Sequence, residues 1–260
     1  MASEHDGVPL LDYIYRVIDT ETTGVDPTKD AVCEVAYRDI TADGVTRETY
    51  QKLCDPGMPI PASASAIHHI VDADVVGQPR CADLIPLLRG ADVFVAHNSS
   101  FDRSFLKLEG DWLCTSRMAK HLFPELVSHS NNELRYHLKV TPDIPKDTAS
   151  HRAAADVAVT AACFAAMLPL AMRRWPSART PAELAVELEK PCRLHKIPFT
   201  KVRGQLFDEV DSGLLRWIIE KDAGGIDVVH TARLVLDERY NPKGRPQPTL
   251  DDGETDDIPF

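Results

Sequence analysis

Three β-type runs separated by turns crowd into the first 60 residues, and after them helical and strand-like runs alternate. The three are YIYRVID, AVCEVAYRDI after the turn GVDPTKD, and VTRETYQKLC after ADG, and they read as an antiparallel meander. ASAIHHIV then reads as a short helix, followed by the apolar run CADLIPLLRG. DVFVAHN is a buried strand running into the helix SSFDRSFLKLEG, and WLCTS is a fifth strand. RMAKHLF and NNELRYHL look helical. HRAAADVAVTAACFAAML is a long helix whose alanines permit close approach to a sheet. This order predicts an α/β domain of about 170 residues built on a mixed five-stranded sheet flanked by helices.

The two-proline linker RRWPSARTP divides the chain, so residues 1–172 are expected as the first domain and 173–240 as a small second module. PAELAVELEK, LFDEVDSGLLRWIIEK and VVHTARLVLDERY supply the module's helix candidates. From 241 to 260 the chain carries Pro242, Pro246, Pro248 and Pro259 with little to bury, which predicts a disordered acidic tail. No apolar run approaches the roughly 18 residues of a membrane span, and MASEHDGVPLLDY lacks a cationic region before an apolar stretch. A soluble, cytoplasmic protein without a membrane partner is the expectation. The six cysteines, Cys33, Cys54, Cys81, Cys114, Cys163 and Cys192, form no C-x-x-C pair and read as reduced thiols.

The chemistry concentrates in a few carboxylates. Asp19 and Glu21, two apart on a strand, project from one face, and carboxylates held side by side repel unless a hard cation lies between them. The same pair also suits a polar strand end leaving the core. Asp102 lies in the first turn of a helix that Asn98, Ser99 or Ser100 can cap. The helix dipole alone favours an acid there, yet a strand-to-helix junction is also where open α/β sheets bind ligands. His151 and Asp156 lie five residues apart, about 140° around a helix, so they converge only if His151 stands at or before the helix start, with Thr148 or Ser150 as cap. A plain surface histidine is the other reading.

Taken together and in order, these segments resemble the DEDDh, or DnaQ-like, 3′→5′ exonucleases of the ribonuclease H fold. IDTETTG resembles the family's first motif, AHNSSFDRSFL its second and HRAAADVAVTAACF its third, while LCDPGMPIPASASAIHHIVDADVVGQP is similar to its loop with an "iHgIt"-like signature. The likeness covers residues 13–168 and is to the bacterial exonuclease X group. KIPFTKVRGQLFDEVDSGLLRWIIEK also resembles that group's C-terminal module, with Thr200-Lys201-Val202-Arg203-Gly204 for a Gly-Lys-Tyr-Arg-Gly pattern and Asp211-Ser212-Gly213-Leu214 for Asp-Pro-Gly-Tyr.

The resemblance implies that Asp19, Glu21, Asp102 and Asp156 bind two Mg²⁺ or Mn²⁺ ions, which can stabilise the attacking and leaving oxygens of an in-line displacement. It implies His151 as general base, 5′-mononucleotides as products, and Glu21 as acceptor for the terminal 3′-OH. Thr22, Thr23, Gly24 and Val25 would cradle the last nucleotide, with Val25 as a wedge, and Ile67, His68 and His69 would line the opposite side, or else form a packed loop. Asn98 joins them as a substrate residue.

A net charge of −11 is unusual for a protein that handles polyanions, but five acids fall in the last ten residues, leaving −6 for the remainder. The acid-free stretch 190–203 contains Lys190, Arg193, Lys196, Lys201 and Arg203. Lys196, Lys201 and Arg203 are candidates for a DNA-binding face, or for a solvated surface. The expected substrate is DNA, at single-stranded or 3′ ends, in repair, recombination or replication. An RNA-trimming nuclease is the rival within the class, and a non-catalytic adaptor displaying the tail is the rival outside it. The ending LDDGETDDIPF resembles the tip of bacterial single-stranded DNA-binding protein. That likeness implies that Asp256, Asp257, Ile258, Pro259 and Phe260 dock on proteins that bind such tips, such as helicases and recombination mediators.

Overall fold

A computed structural model describes residues 9–91, 93–144, 151–199 and 201–241, and the chain divides into two compact units, residues 1–192 and 193–260. The first unit is built on one sheet of five strands: β1 (Tyr15–Thr22), β2 (Val32–Ile40), β3 (Thr46–Leu53), β4 (Val93–Ala96) and β5 (Asp111–Cys114). Their order is β3-β2-β1-β4-β5. The three N-terminal strands pair antiparallel, while β4 lies parallel to both β1 and β5, which is the mixed sheet the run order predicts.

Both faces of the central strands are covered, which is why β1 and β2 are buried almost continuously instead of alternating. On one face Tyr15, Val17, Ala36 and Ile40 pack against α7 (Ala153–Arg174), whose Ala153, Val157, Ala161 and Phe164 let the helix lie close to the sheet. This helix is long and apolar enough by composition to cross a membrane, but Phe164, Met167 and Leu168 are fully buried in the core. On the other face Ile18, Val35 and Phe94 pack with Leu84 and Leu88 of α3 (Cys81–Leu88) and Leu106 of α4 (Ser99–Leu106).

Between β3 and α3, two short helices, α1 (Ala62–His68) and α2 (Asp72–Val75), fold over Cys33 through Ile60, Ala64, Ile70 and Val75. The periodicity does not foresee α2, a single turn held by Asp74 accepting the N–H of Val71. After β5 come α5 (Thr115–Leu122) and α6 (Asn131–His137). Thr115 and Ser116, read as strand, instead open α5, because the Cys114 thiol at the N-cap accepts the N–H of Arg117. All six cysteines are free.

The domain boundary falls later than the two-proline linker suggests. Helix α8 (Pro181–Glu189) belongs to the first unit, where Leu184 and Leu188 join the main core and Arg117 donates to the carbonyls of Leu188 and Lys190 at 2.9 and 2.6 Å. The linker is thus a corner ahead of a Thr180–Glu183 capping box, not a division between domains. The second unit contains α9 (Ser212–Glu220), capped by Asp211, and α10 (Ile226–Tyr240), with Ile197, Phe207, Leu215, Ile218 and Val235 buried. The tail residues Asp256, Asp257, Ile258, Pro259 and Phe260 lie outside the described residues.

Candidate active site

Asp19 and Glu21 share the face of β1 that carries Val17, so strand alternation points both towards α7. Asp156 stands in the first turn of α7, its N–H bonded to the carbonyl of Arg152 at 3.1 Å. One carboxylate oxygen from each of the three lies within 4.8 Å of the others. Asp102 comes from the far side of β1. It is buried in the first turn of α4, and the hydroxyl of Thr20, which alternation turns away from Asp19 and Glu21, donates to its Oδ1 at 2.8 Å. Helix α4 can start so soon after β4 because Asn98 adopts a left-handed backbone (φ 68°), which asparagine tolerates better than most residues.

The electrostatics follow from crowding acids where water is scarce. Burial, and then the charges of Asp102, Glu21 and Asp156, raise Asp19 well above the usual carboxylate range. Burial, then Asp156 and Glu34, push Glu21 up to about 8, and burial brings Asp102 to about 7 against the pull of the Thr20 hydroxyl. Asp156 is raised by burial, with His151 opposing the shift. Among the described residues no lysine or arginine salt bridge reaches Asp19, Glu21 or Asp156. Convergent oxygens, burial and surplus negative charge make a donor set suited to a hard divalent cation.

His151 stands just before the Arg152 N-cap of α7, exposed and left-handed (φ 57°), so it does precede the helix, as convergence with Asp156 requires. The proposed caps Thr148 and Ser150 fall outside the described residues. Instead the Glu34 carboxylate accepts the N–H of Ala153 at 3.1 Å and the guanidinium of Arg152 at 2.6 and 3.0 Å. Sequence reasoning missed Glu34, Arg152 and Thr20. An acid flanked on both sides by apolar residues, Val32 and Cys33 before it and Val35 and Ala36 after it, is the signal that marks the first.

The RNase_T exonuclease family matches residues 17–164, a span running from β1 into α7 and holding every one of these acids. The chain belongs to that family. This exonuclease is of the DnaQ-like, metal-dependent, 3′→5′ kind. It is 34% identical over 207 residues to exodeoxyribonuclease 10 of Escherichia coli (strain K12), covering 78% of this chain and 89% of that protein. It is 29% identical over 172 residues to the DNA polymerase III epsilon subunit of Aquifex aeolicus, covering 61% and 82%. Among solved structures, exonuclease X in complex with 5′-overhanging duplex DNA superposes with a TM-score of 0.59 at 34% identity, covering 67% of this chain and 99% of that one.

In this exonuclease the expected substrate residues divide by exposure. Val25 is 82% exposed and Ile67 56%, and His69 and Asn98 are also at the surface. Thr22, Thr23 and His68 are buried. The Thr22 hydroxyl donates to the Gly24 carbonyl at 2.6 Å, and that of Thr23 accepts the N–H of Ala31 at 3.0 Å. The His68 ring accepts the N–H of Ile70 at 3.1 Å through Nδ1 and lies 3.7 Å from the Cys33 sulfur through Nε2. These three side chains brace the turn and loop from inside, whereas Val25, Ile67 and His69 face solvent.

Proposed function

We propose that the protein is a 3′→5′ exodeoxyribonuclease that releases 5′-mononucleotides from DNA ends. The observation that carries this reading is the meeting of Asp19, Glu21 and Asp156 beside Asp102 and His151, in a chain that shares 34% identity over 207 residues with an exodeoxyribonuclease. Asp19, Glu21, Asp102 and Asp156 would hold two divalent cations, Mg²⁺ or Mn²⁺, which when bound offset the charge that builds on the phosphodiester oxygens. His151 takes the proton of the attacking water, a role worth about 10²–10⁴-fold in rate. Glu21 accepts from the terminal 3′-OH, while Val25 and Ile67 present exposed apolar surface to the last base.

Lys196, Lys201 and Arg203 form the DNA-binding face of the second unit. Lys201 and Arg203 are exposed and Lys196 half-buried, whereas Lys190 is engaged by Glu187, and Arg193 by Glu238 and Asp208. Replacing the three with alanine should flatten the salt dependence of single-strand binding by about 0.7 log unit for each phosphate that is no longer neutralised. The tip Asp256, Asp257, Ile258, Pro259 and Phe260 docks on proteins that bind the tail of single-stranded DNA-binding protein. Deleting Phe260 should end capture of such a helicase while leaving basal cleavage unchanged. The protein works in the cytoplasm, in repair, recombination or replication.

The deciding experiment incubates 5′-labelled single strands of DNA and of RNA with the protein in Mg²⁺ and in EDTA. Ladders shortening from the 3′ end of DNA, abolished by EDTA, are expected. Faster shortening of RNA would make the protein an RNA-trimming enzyme, and no shortening of either would leave an adaptor.

A further inference from the structure

We propose that Arg152 and Glu34 form a clamp that positions His151 for proton transfer, an inference that rests on reading His151 as the general base. Glu34 is fully buried on β2, directly opposite Glu21 in the β1–β2 register. A carboxylate there adds to the surplus negative charge beside it, and it is kept by four hydrogen bonds. Arg152 Nη2 and Nε donate to its two oxygens at 2.6 and 3.0 Å, the backbone N–H of Ala153 donates at 3.1 Å, and Gln51 Nε2 at 2.8 Å. The bidentate fork fixes the Arg152 side chain, and the Ala153 bond fixes the main chain immediately after it.

The position of these bonds argues for more than stability. Helix α7 is anchored along its length by Val157, Phe164, Met167 and Leu168, so the clamp acts on the one residue between His151 and the helix. His151 itself holds a left-handed backbone, φ 57°, which an ordinary L-residue disfavours because its Cβ crowds the following carbonyl oxygen. Such a turn does not persist by its own preference; its neighbours must impose it. Arg152 and Ala153, tied to a buried group on the adjacent strand, are those neighbours. Because β2 is paired to the strand that carries Asp19 and Glu21, the clamp also ties the base to the acids it must work beside.

The test is a double-mutant cycle in the full-length protein, on 5′-labelled single-stranded DNA at saturating Mg²⁺, using R152A, R152K, H151A and R152A/H151A. Melting temperature and Mn²⁺ binding are measured alongside. R152A is expected to stay folded and bind Mn²⁺ normally, with KM within about twofold and kcat reduced on the order of 10–10²-fold, as a misplaced reacting group implies. R152K should recover part of the loss. In the H151A background, adding R152A should change the rate by less than about twofold, because a residue that acts only through His151 has nothing left to act on. Losses that multiply in the double variant would show Arg152 working through the metal acids or through general stability, and would overturn the clamp. Wild-type kcat in R152A would overturn it too. Wild-type rate in H151A is a separate result, which removes the base assignment and the clamp's purpose with it. If R152A fails to fold, E34Q, which keeps an acceptor for Ala153 while losing the charge, takes its place in the same cycle.

Discussion

At the scale of single residues, the site is dominated by carboxylates that resist giving up their protons. Asp19 lies well above the ordinary carboxylate range, Glu21 near 8 and Asp102 near 7, so between about pH 4 and 8 the folded, metal-free protein binds protons that the unfolded chain has released. Stability falls with rising pH wherever the folded state is the one holding more protons. The metal-free melting temperature should therefore drop steadily from pH 5 to pH 8, and Mg²⁺ or Mn²⁺ should raise it more at pH 8 than at pH 5. Asp156→Asn removes one of the repelling charges. It should raise the metal-free melting temperature at pH 8 while abolishing cleavage, and differential scanning fluorimetry with and without EDTA measures both temperature effects. A variant that melted lower than the wild type at pH 8 without metal would show that Asp156 is not under repulsive load.

At the scale of elements, the turn between β1 and β2 shows how one small residue sets a surface. A Cβ on Gly24 would lie 2.4 Å from Asp30 Oδ2, and that carboxylate closes the turn by accepting the N–H of Asp26 at 2.9 Å. Gly24→Ala must push Asp30 aside, with loss of about 0.5–1.5 kcal/mol for the bond. It also shifts Val25, so steady-state kinetics on short DNA strands should show a KM raised severalfold with kcat less affected, since Asp19 and Glu21 lie before the turn. An unchanged KM would remove the turn from the substrate-binding surface. The strands and long helices were legible because apolar period and turn residues are local signals, as in AVCEVAYRDI and the alanine-rich α7. The convergence of Asp19, Glu21 and Asp156 was legible through the order of the acids along the chain. Thr20 on Asp102 and Glu34 on Arg152 were not, because they join residues 82 and 118 positions apart, and a sequence pattern does not carry the identity of such partners. For the same reason the sequence leaves His68 open between the substrate side and a packed loop: its neighbour Cys33, which fixes it inside, is 35 positions away.

At the scale of the whole molecule, the question is where the catalytic unit ends. Pro176 and Pro181 mark a break in local pattern, but tertiary packing overrides them, since α8 returns to the first unit. Leu184 and Leu188 are 0% and 2% exposed in the main core, and Trp175 and Ala178 join it from the connecting corner. Burying each leucine is worth about 1.5–3 kcal/mol, so the pair alone contributes roughly 3–6 kcal/mol. That is comparable with the entire stability of a domain, about 5–15 kcal/mol. Arg117 adds a second constraint, because its guanidinium donates to the carbonyls at the end of α8, and without that helix it loses those acceptors. A fragment of residues 1–192 should therefore unfold cooperatively and retain Mg²⁺-dependent cleavage of short single strands. A fragment of residues 1–172 should melt roughly 6–24 °C lower or aggregate, since 1 kcal/mol moves the midpoint by about 2–4 °C in a unit of this size. Thermal unfolding of the two fragments decides between packing and linker composition as the guide to the boundary: equal melting temperatures would mean that α8 adds nothing to the catalytic core.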